Sequence, residues 1–330
     1  MRYLRCTKLI GKFVIGTLLS ITACTVSAQE FPIYNQYYFN YYLVNPALAG
    51  ANDCHYFMLT HKQQWLGIDD APYTTSLSYQ GRLPRNVGLG AYIYNDANGY
   101  SRQQAGEITV AYHIPLSDGA KYKKAVSRDR QLSFALSAKL YNYGISDKAE
   151  LQKLAEGDKA MEDLDDLLAF NVNLGAYFTS YGFFTGLSMT NLLGTKMPHY
   201  EGKMEPLIPM TGYFLLGNEF MLTDFEGIEP SLMYMFDVNG HMTFDINLKY
   251  SRSSMRNSDW AYWVQLVFRQ NIDDGDYDTL DLVPVAGMQY KKFHFGLAYG
   301  IQLNRLYRHN YGTLELMLGY TLCHTRRFCR

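Results

Sequence analysis

Histidine, clustered aspartate and cysteine are the side chains here with chemistry to offer. Eight histidines are scattered through the chain, at His55, His61, His113, His199, His241, His294, His309 and His324. A membrane-embedded hydrolase sets a Ser or an activated water beside a His and a carboxylate or amide. No partner spacing singles out one of these histidines, so the chain reads as a non-enzyme without a cofactor. Asp273, Asp274, Asp276 and Asp278 surround Gly275 and offer oxygens of the kind that hold calcium. The run lacks the terminal Glu of an EF-hand loop, an ordinary solvated loop is the simpler reading, and no metal is expected.

The first residues set the compartment. Arg2, Arg5, Lys8 and Lys12 give a basic start, Leu9 to Leu19 is mostly apolar, and Val26-Ser27-Ala28 is a small-residue cleavage site before Gln29. Residues 1–28 read as a removed secretory peptide. Ile21-Thr22-Ala23-Cys24 also fits a lipoprotein box, in which Cys24 is acylated and becomes the mature N-terminus. Without its four basic leader residues the chain carries 26 basic and 31 acidic residues, a formal −5. No nucleic-acid footprint is present.

Those few side chains must be positioned by elements that the hydropathy pattern defines. The sequence is 48% hydrophobic and only 18% charged, yet its mean hydropathy is −0.21. Nothing after residue 28 approaches the roughly 18 unbroken apolar residues of a spanning helix. Met242, Phe244, Ile246, Leu248 and Tyr250 alternate without error with Thr243, Asp245, Asn247 and Lys249. Ile108 to Ile114, Trp260 to Phe268 and Leu314 to Leu322 repeat the pattern with period two. A membrane barrel alternates lipid-facing and lumen-facing residues in this way, and a large secreted β-sandwich alternates for the same reason.

Strand candidates fall near 55–63, 73–81, 86–95, 104–115, 131–143, 168–180, 182–190, 209–220, 227–237, 241–251, 259–269, 279–290, 292–303 and 311–322. The even count of fourteen and the span lengths suit an all-β, transmembrane antiparallel β-barrel over residues 54–330. With the N-terminus in the periplasm, the even-numbered connections should be short. Arg82 to Arg85, Ser180 to Tyr181 and Tyr290-Lys291 agree, while Asp237 to Gly240 is tight and Leu116 to Arg130 long against expectation. The latter carries Lys121, Lys123, Lys124, Arg128 and Arg130, either a basic periplasmic contact or a solvated loop. Residues 148–168 hold the one helical stripe, suited to an extracellular cap or a partner-docking element. Cys54, Cys323 and Cys329 remain after export. First and last strands pair in a closed barrel, which brings Cys54 within reach of a disulfide to Cys323 or Cys329 in an oxidising periplasm.

Between leader and barrel lie residues 29–53, rich in Phe31, Tyr34, Tyr37, Tyr38, Phe39, Tyr41 and Tyr42. So many rings would be costly in water, so the segment is expected to pack into the barrel mouth or lumen as a partial plug. Lumen-facing positions read as many Tyr, Gly, Ser and Thr with few charges, consistent with a filled interior.

Tyr34-Asn35-Gln36-Tyr37, then Asn45-Pro46-Ala47-Leu48-Ala49-Gly50, then Lys62-Gln63-Gln64-Trp65 with Gly67-Ile68, Ala71-Pro72 and Thr74 resemble the PorP/SprF family of Bacteroidetes outer-membrane proteins. The resemblance continues through Gly88-Leu89-Gly90, Asp96 and Gly99 and returns in Ala298-Tyr299-Gly300 and Gly312 to Tyr320. Lys62 departs from the Arg common before Gln-Trp, and His324 to Arg330 extends past the last strand. The resemblance implies a non-enzymatic outer-membrane component of the type IX secretion system of a Gram-negative bacterium, engaged in protein secretion or in anchoring secreted adhesins. Implied partners are the ring and lipoprotein components of that system, the C-terminal domains of secreted adhesins or other secreted proteins, and outer-membrane lipid. Asn45, Pro46, Gly50, Gln64, Trp65 and Pro72 are the candidate site residues, read either as structural, with Trp65 an interfacial anchor, or as a partner surface. A diffusion channel or apolar-solute porin is the other function class.

Overall fold

The computed structural model describes residues 35–52, 54–116, 130–145, 167–194, 208–253, 259–273, 276–303 and 310–323. Outside them lie the leader with Cys24, the first residues of the aromatic segment with Phe31 and Tyr34, the basic run 121–128, the helical stripe up to residue 166, the centre of the acidic loop, and the tail with Cys329.

The strands are β1 (Cys54–Gln63), β2 (Tyr73–Leu83), β3 (Val87–Asn98), β4 (Ser101–Pro115), β5 (Arg130–Ile145), β6 (Leu167–Ser180), β7 (Phe183–Thr190), β8 (Thr211–Asn218), β9 (Phe220–Thr223), β10 (Glu226–Asp237), β11 (Met242–Ser253), β12 (Trp260–Asp273), β13 (Asp276–Tyr290), β14 (Phe293–Gln302) and β15 (Thr313–Cys323). Sequence neighbours other than β8 and β9 pair antiparallel, β1 also pairs with β15, and β10 pairs with β8 and β11, so the sheet closes on itself. Gly217 opposite Ser231 and Phe220 opposite Ile228 share one register, which makes β9 the continuation of β8 past Glu219. The result is a closed barrel of fourteen strands with one extension.

The direction of the alternation separates barrel from sandwich. Ile246 and Leu248 are 58% and 55% exposed, whereas Asp245 and Asn247, which alternate with them, are 0% and 1%. On β4, Ile108, Val110 and Tyr112 are exposed, and Glu107, Thr109 and His113 are buried. A soluble sandwich buries its apolar set; this sheet turns that set outward around the ring and keeps polar groups inside, as lipid requires.

The tight connection after Asp237 belongs to the end opposite Cys54, closed by a hydrogen bond from Asp237 N to His241 O at 3.0 Å. Two hairpins at that end are tighter than expected. β3 and β4 pair out to Asn98 opposite Ser101, and β12 and β13 out to Asp273 opposite Asp276. The seam between first and last strands runs from Cys54 opposite Cys323 to Gln63 opposite Leu314. Cys54 is bonded to Cys323, with Cα atoms 4.4 Å apart, which settles the choice left open with Cys329.

Candidate functional site

The segment before β1 enters the lumen as three short 3-10 turns, Asn35–Tyr38, Tyr41–Leu43 and Pro46–Leu48. Two asparagines start the latter two. Asn40 Oδ1 accepts from Tyr42 N at 3.2 Å, and Asn45 Oδ1 accepts from Ala47 N at 3.0 Å. Capping by Asn satisfies amides that a turn leaves open. Pro46 fixes the first position of its turn and holds Asn45 extended at φ −137°. Folded in this way, Tyr37, Tyr42, Val44 and Ala47 are each at most 2% exposed.

Each turn is bonded to a different part of the wall. Tyr37 Oη donates to Asp245 Oδ2 on β11 at 2.6 Å. Asn40 Nδ2 donates to Ser78 Oγ on β2 at 3.0 Å, and Tyr42 Oη bonds Thr109 Oγ1 on β4 at 2.8 Å. Ser188 Oγ on β7 donates to Val44 O at 2.5 Å, and Asn45 Nδ2 donates to Ala176 O on β6 at 3.1 Å. His113 Nε2 on β4 donates to Ala49 O at 3.0 Å, while its Nδ1 accepts from Ser133 Oγ at 2.8 Å; the carbonyl fixes this tautomer. The segment therefore bridges the bore from wall to wall.

Glycines on the wall make room for it. A Cβ on Gly88 would lie 1.9 Å from Ala49 O, and one on Gly175 would lie 2.4 Å from Asn45 Oδ1. Gly50 packs its backbone against Gly81 and Gly88 with φ +66°, a conformation that side chains resist. Gly88, first noted only as part of a motif, is the seat of the plug.

The lumen holds more charge than the sequence suggested. Arg269 Nε donates to Asp245 Oδ1 at 2.7 Å, its terminal nitrogen bonds Oδ2, and both side chains are fully buried. The Arg269 guanidinium also lies 5.6 Å from the Tyr38 ring centroid. Lys139 sits among the rings of Tyr92, Tyr94 and Tyr141 at 5.4, 5.3 and 4.6 Å, opposite Glu107, which accepts from Asn173 Nδ2 at 2.7 Å. Lys62, buried at 2%, stands opposite Glu315 across the seam. These charges come from different strands, so no sequence window shows them together. Burial first, then the Asp245 carboxylate, pushes the Tyr37 phenol well above its ordinary range; Tyr38 is pushed the same way by burial, opposed by Arg269.

The six candidate residues do not form one site. Asn45, Pro46 and Gly50 belong to the plug. Gln64, Trp65 and Pro72 belong to the loop at the end of β1 opposite Cys54. Gln64 N donates to Pro72 O at 2.9 Å, and Leu66 N donates to Gly312 O at 2.9 Å, tying that loop to the start of β15. Trp65 is 37% exposed with φ +46°. The later part of the same loop borders a polar cleft of about 350 Å³, with Asp69, Asp70, Tyr73 and Arg102 in its lining. Among the described residues no three His, Cys, Asp or Glu converge as metal ligands.

A family model described as type IX secretion system membrane protein PorP/SprF matches residues 26–320. The chain belongs to that family. The family unit thus takes in plug and barrel together. The monoaromatic hydrocarbon channel CymD superposes with a TM-score of 0.54 at 12% identity, over 90% of this chain and 95% of that one. The Pseudomonas putida toluene transporter TodX gives 0.43 at 10% identity, over 91% of this chain and 95% of that one. At such identity the likeness to CymD speaks for an outer-membrane barrel fold alone. No protein of curated function matches the sequence significantly.

Proposed function

We propose that this PorP/SprF protein is a closed, non-enzymatic docking component of the type IX secretion system, exported by cleavage after residue 28. It holds ring or lipoprotein components, or the C-terminal domains of secreted adhesins, at the outer membrane. The observation that carries this reading is the plug, which is bonded to β2, β4, β6, β7 and β11 and so lies across the bore. A porin works by an open polar bore; a docking protein has no need of one.

Gentle detergent extraction of a tagged copy from native outer membranes, with mass spectrometry of what stays bound, tests the proposal. Recovery of secretion-system lipoproteins or a large surface adhesin is the expected result. A solitary barrel that conducts ions or passes apolar solutes in planar bilayers would overturn it in favour of a diffusion channel.

A further inference from the structure

Among the described residues, β9 pairs on one side only. Its partner is β10, through Phe220 opposite Ile228, Met221 opposite Gly227 and Thr223 opposite Glu226. On the other side β7 begins at Phe183, opposite Asn218, and Glu219 N donates to Gly182 O at 3.0 Å where the β6–β7 turn leaves the sheet. Among the described residues β9 runs past that turn with this edge unpaired, at the end of the barrel that carries Cys54 and Cys323. Phe220, Met221 and Leu222 are 53%, 48% and 56% exposed.

The height of this edge follows from the strands beside it. Glu226 is opposite Arg252, and Arg252 is opposite Tyr262. Arg252 and Glu226 form an ion pair at 3.3 Å, and Trp260 and Tyr262 beside it are 48% and 47% exposed. A surface ion pair among aromatic rings marks the boundary of the hydrocarbon layer. β9 lies level with that boundary or beyond it. Lipid is in any case a poor cover for a sheet edge, because it leaves backbone N–H and C=O groups without partners. In water, native edge strands are blunted by Lys, Pro or a bulge, and Phe220-Met221-Leu222-Thr223 carries no charge and no proline. An added strand satisfies both the backbone edge and the apolar side chains. Glu219 and Asp224 stand at the two ends of the Phe220–Thr223 run, while Glu226 is matched by Arg252, so the complementary strand is apolar with basic flanks.

We propose that the β9 edge docks an extended, apolar strand with Lys or Arg flanks from a partner protein on the side of the membrane where Cys54 and Cys323 lie. This rests on the docking reading above and gives it an address and a binding mode.

The test uses full-length protein in native outer membranes, with heat-modifiable migration confirming that each variant is folded. A benzophenone amino acid at position 222 is photolysed, and cross-linked peptides are mapped beside the recovery of bound proteins from wild type, Leu222→Lys and Met221→Lys. The expected result is cross-links to one extended apolar segment of a retained partner, with recovery falling roughly tenfold in both variants. Equal recovery from variants and wild type would overturn the β9 proposal and leave the docking reading standing. Cross-links confined to lipid or to a second copy of this chain would also overturn it. A wild-type protein that retains no partner would remove the docking reading and the proposal with it.

Discussion

Asp245 and Tyr37 show how unevenly the bonds of the lumen are weighted. The Asp245 carboxylate is held by two Arg269 nitrogens and by Tyr37 Oη. Tyr37→Phe removes one hydrogen bond and leaves the ion pair intact, so it should cost about 1 kcal/mol. Asp245→Ala leaves the Arg269 guanidinium buried without its carboxylate and should cost about 3–5 kcal/mol. Urea unfolding of the folded barrel in detergent measures both, and equal costs would show that Arg269 finds other partners. Glycine carries a different kind of weight. Gly88→Val places carbon where Ala49 O now lies, so it should displace the plug and raise ion conductance in planar bilayers while heat-modifiable migration persists. An unchanged conductance would mean that the plug shifts without unseating.

The plug has its own stability profile as an element. Burial raises the phenol pKa of Tyr37 and Tyr38 above the ordinary value of about 10. A group whose pKa is raised on folding contributes its full stabilisation below the unfolded value and loses it as pH climbs toward the folded one. Plug seating should therefore be insensitive to these tyrosines up to about pH 10 and weaken above it. Hydrogen exchange of residues 37–48 across pH checks this, and loosening between pH 7 and 9 would point to other groups. A chain starting at Cys54 should conduct where the full chain does not. The strands themselves were legible because lipid outside and polar lumen inside impose period two on every stave. Hairpin ends were less so: Asn95, Asp96, Asn98, Ser101 and Gln103 are polar on both faces, and the pairing of β3 with β4 there follows from the ladder rather than from hydropathy. The aromatic plug was legible from the cost of its rings in water. Its seat was not, since Gly88, Gly175 and Ser188 meet it only once the barrel has closed.

For the molecule as a whole, the Cys54–Cys323 bond spans 269 residues of chain and links strands that already pair along ten positions. The paired substitution Cys54→Ser, Cys323→Ser should leave the barrel folded and lower its stability by about 2–4 kcal/mol, chiefly by freeing the unfolded chain. Unfolding in detergent with and without reductant reads this, and identical midpoints would show that seam pairing alone sets the limit. Charge was the property least legible at this scale, because Lys62, Glu107, Lys139, Asp245, Arg269 and Glu315 sit on separate strands and meet their partners only as cross-strand neighbours on the inner wall.

The same bond makes the barrel a hoop welded at its join. A hoop of this kind cannot part its first and last staves at the welded end, so any opening of the seam has to start from the far end, where Gln63 faces Leu314. Along the axis, Tyr37 and its neighbours lie across the lumen, bonded to the wall. The weld also imposes an order on construction. Once the two cysteines have met, the hoop can no longer take a new stave at its join, so the machinery that inserts it must have released the first and last strands to each other.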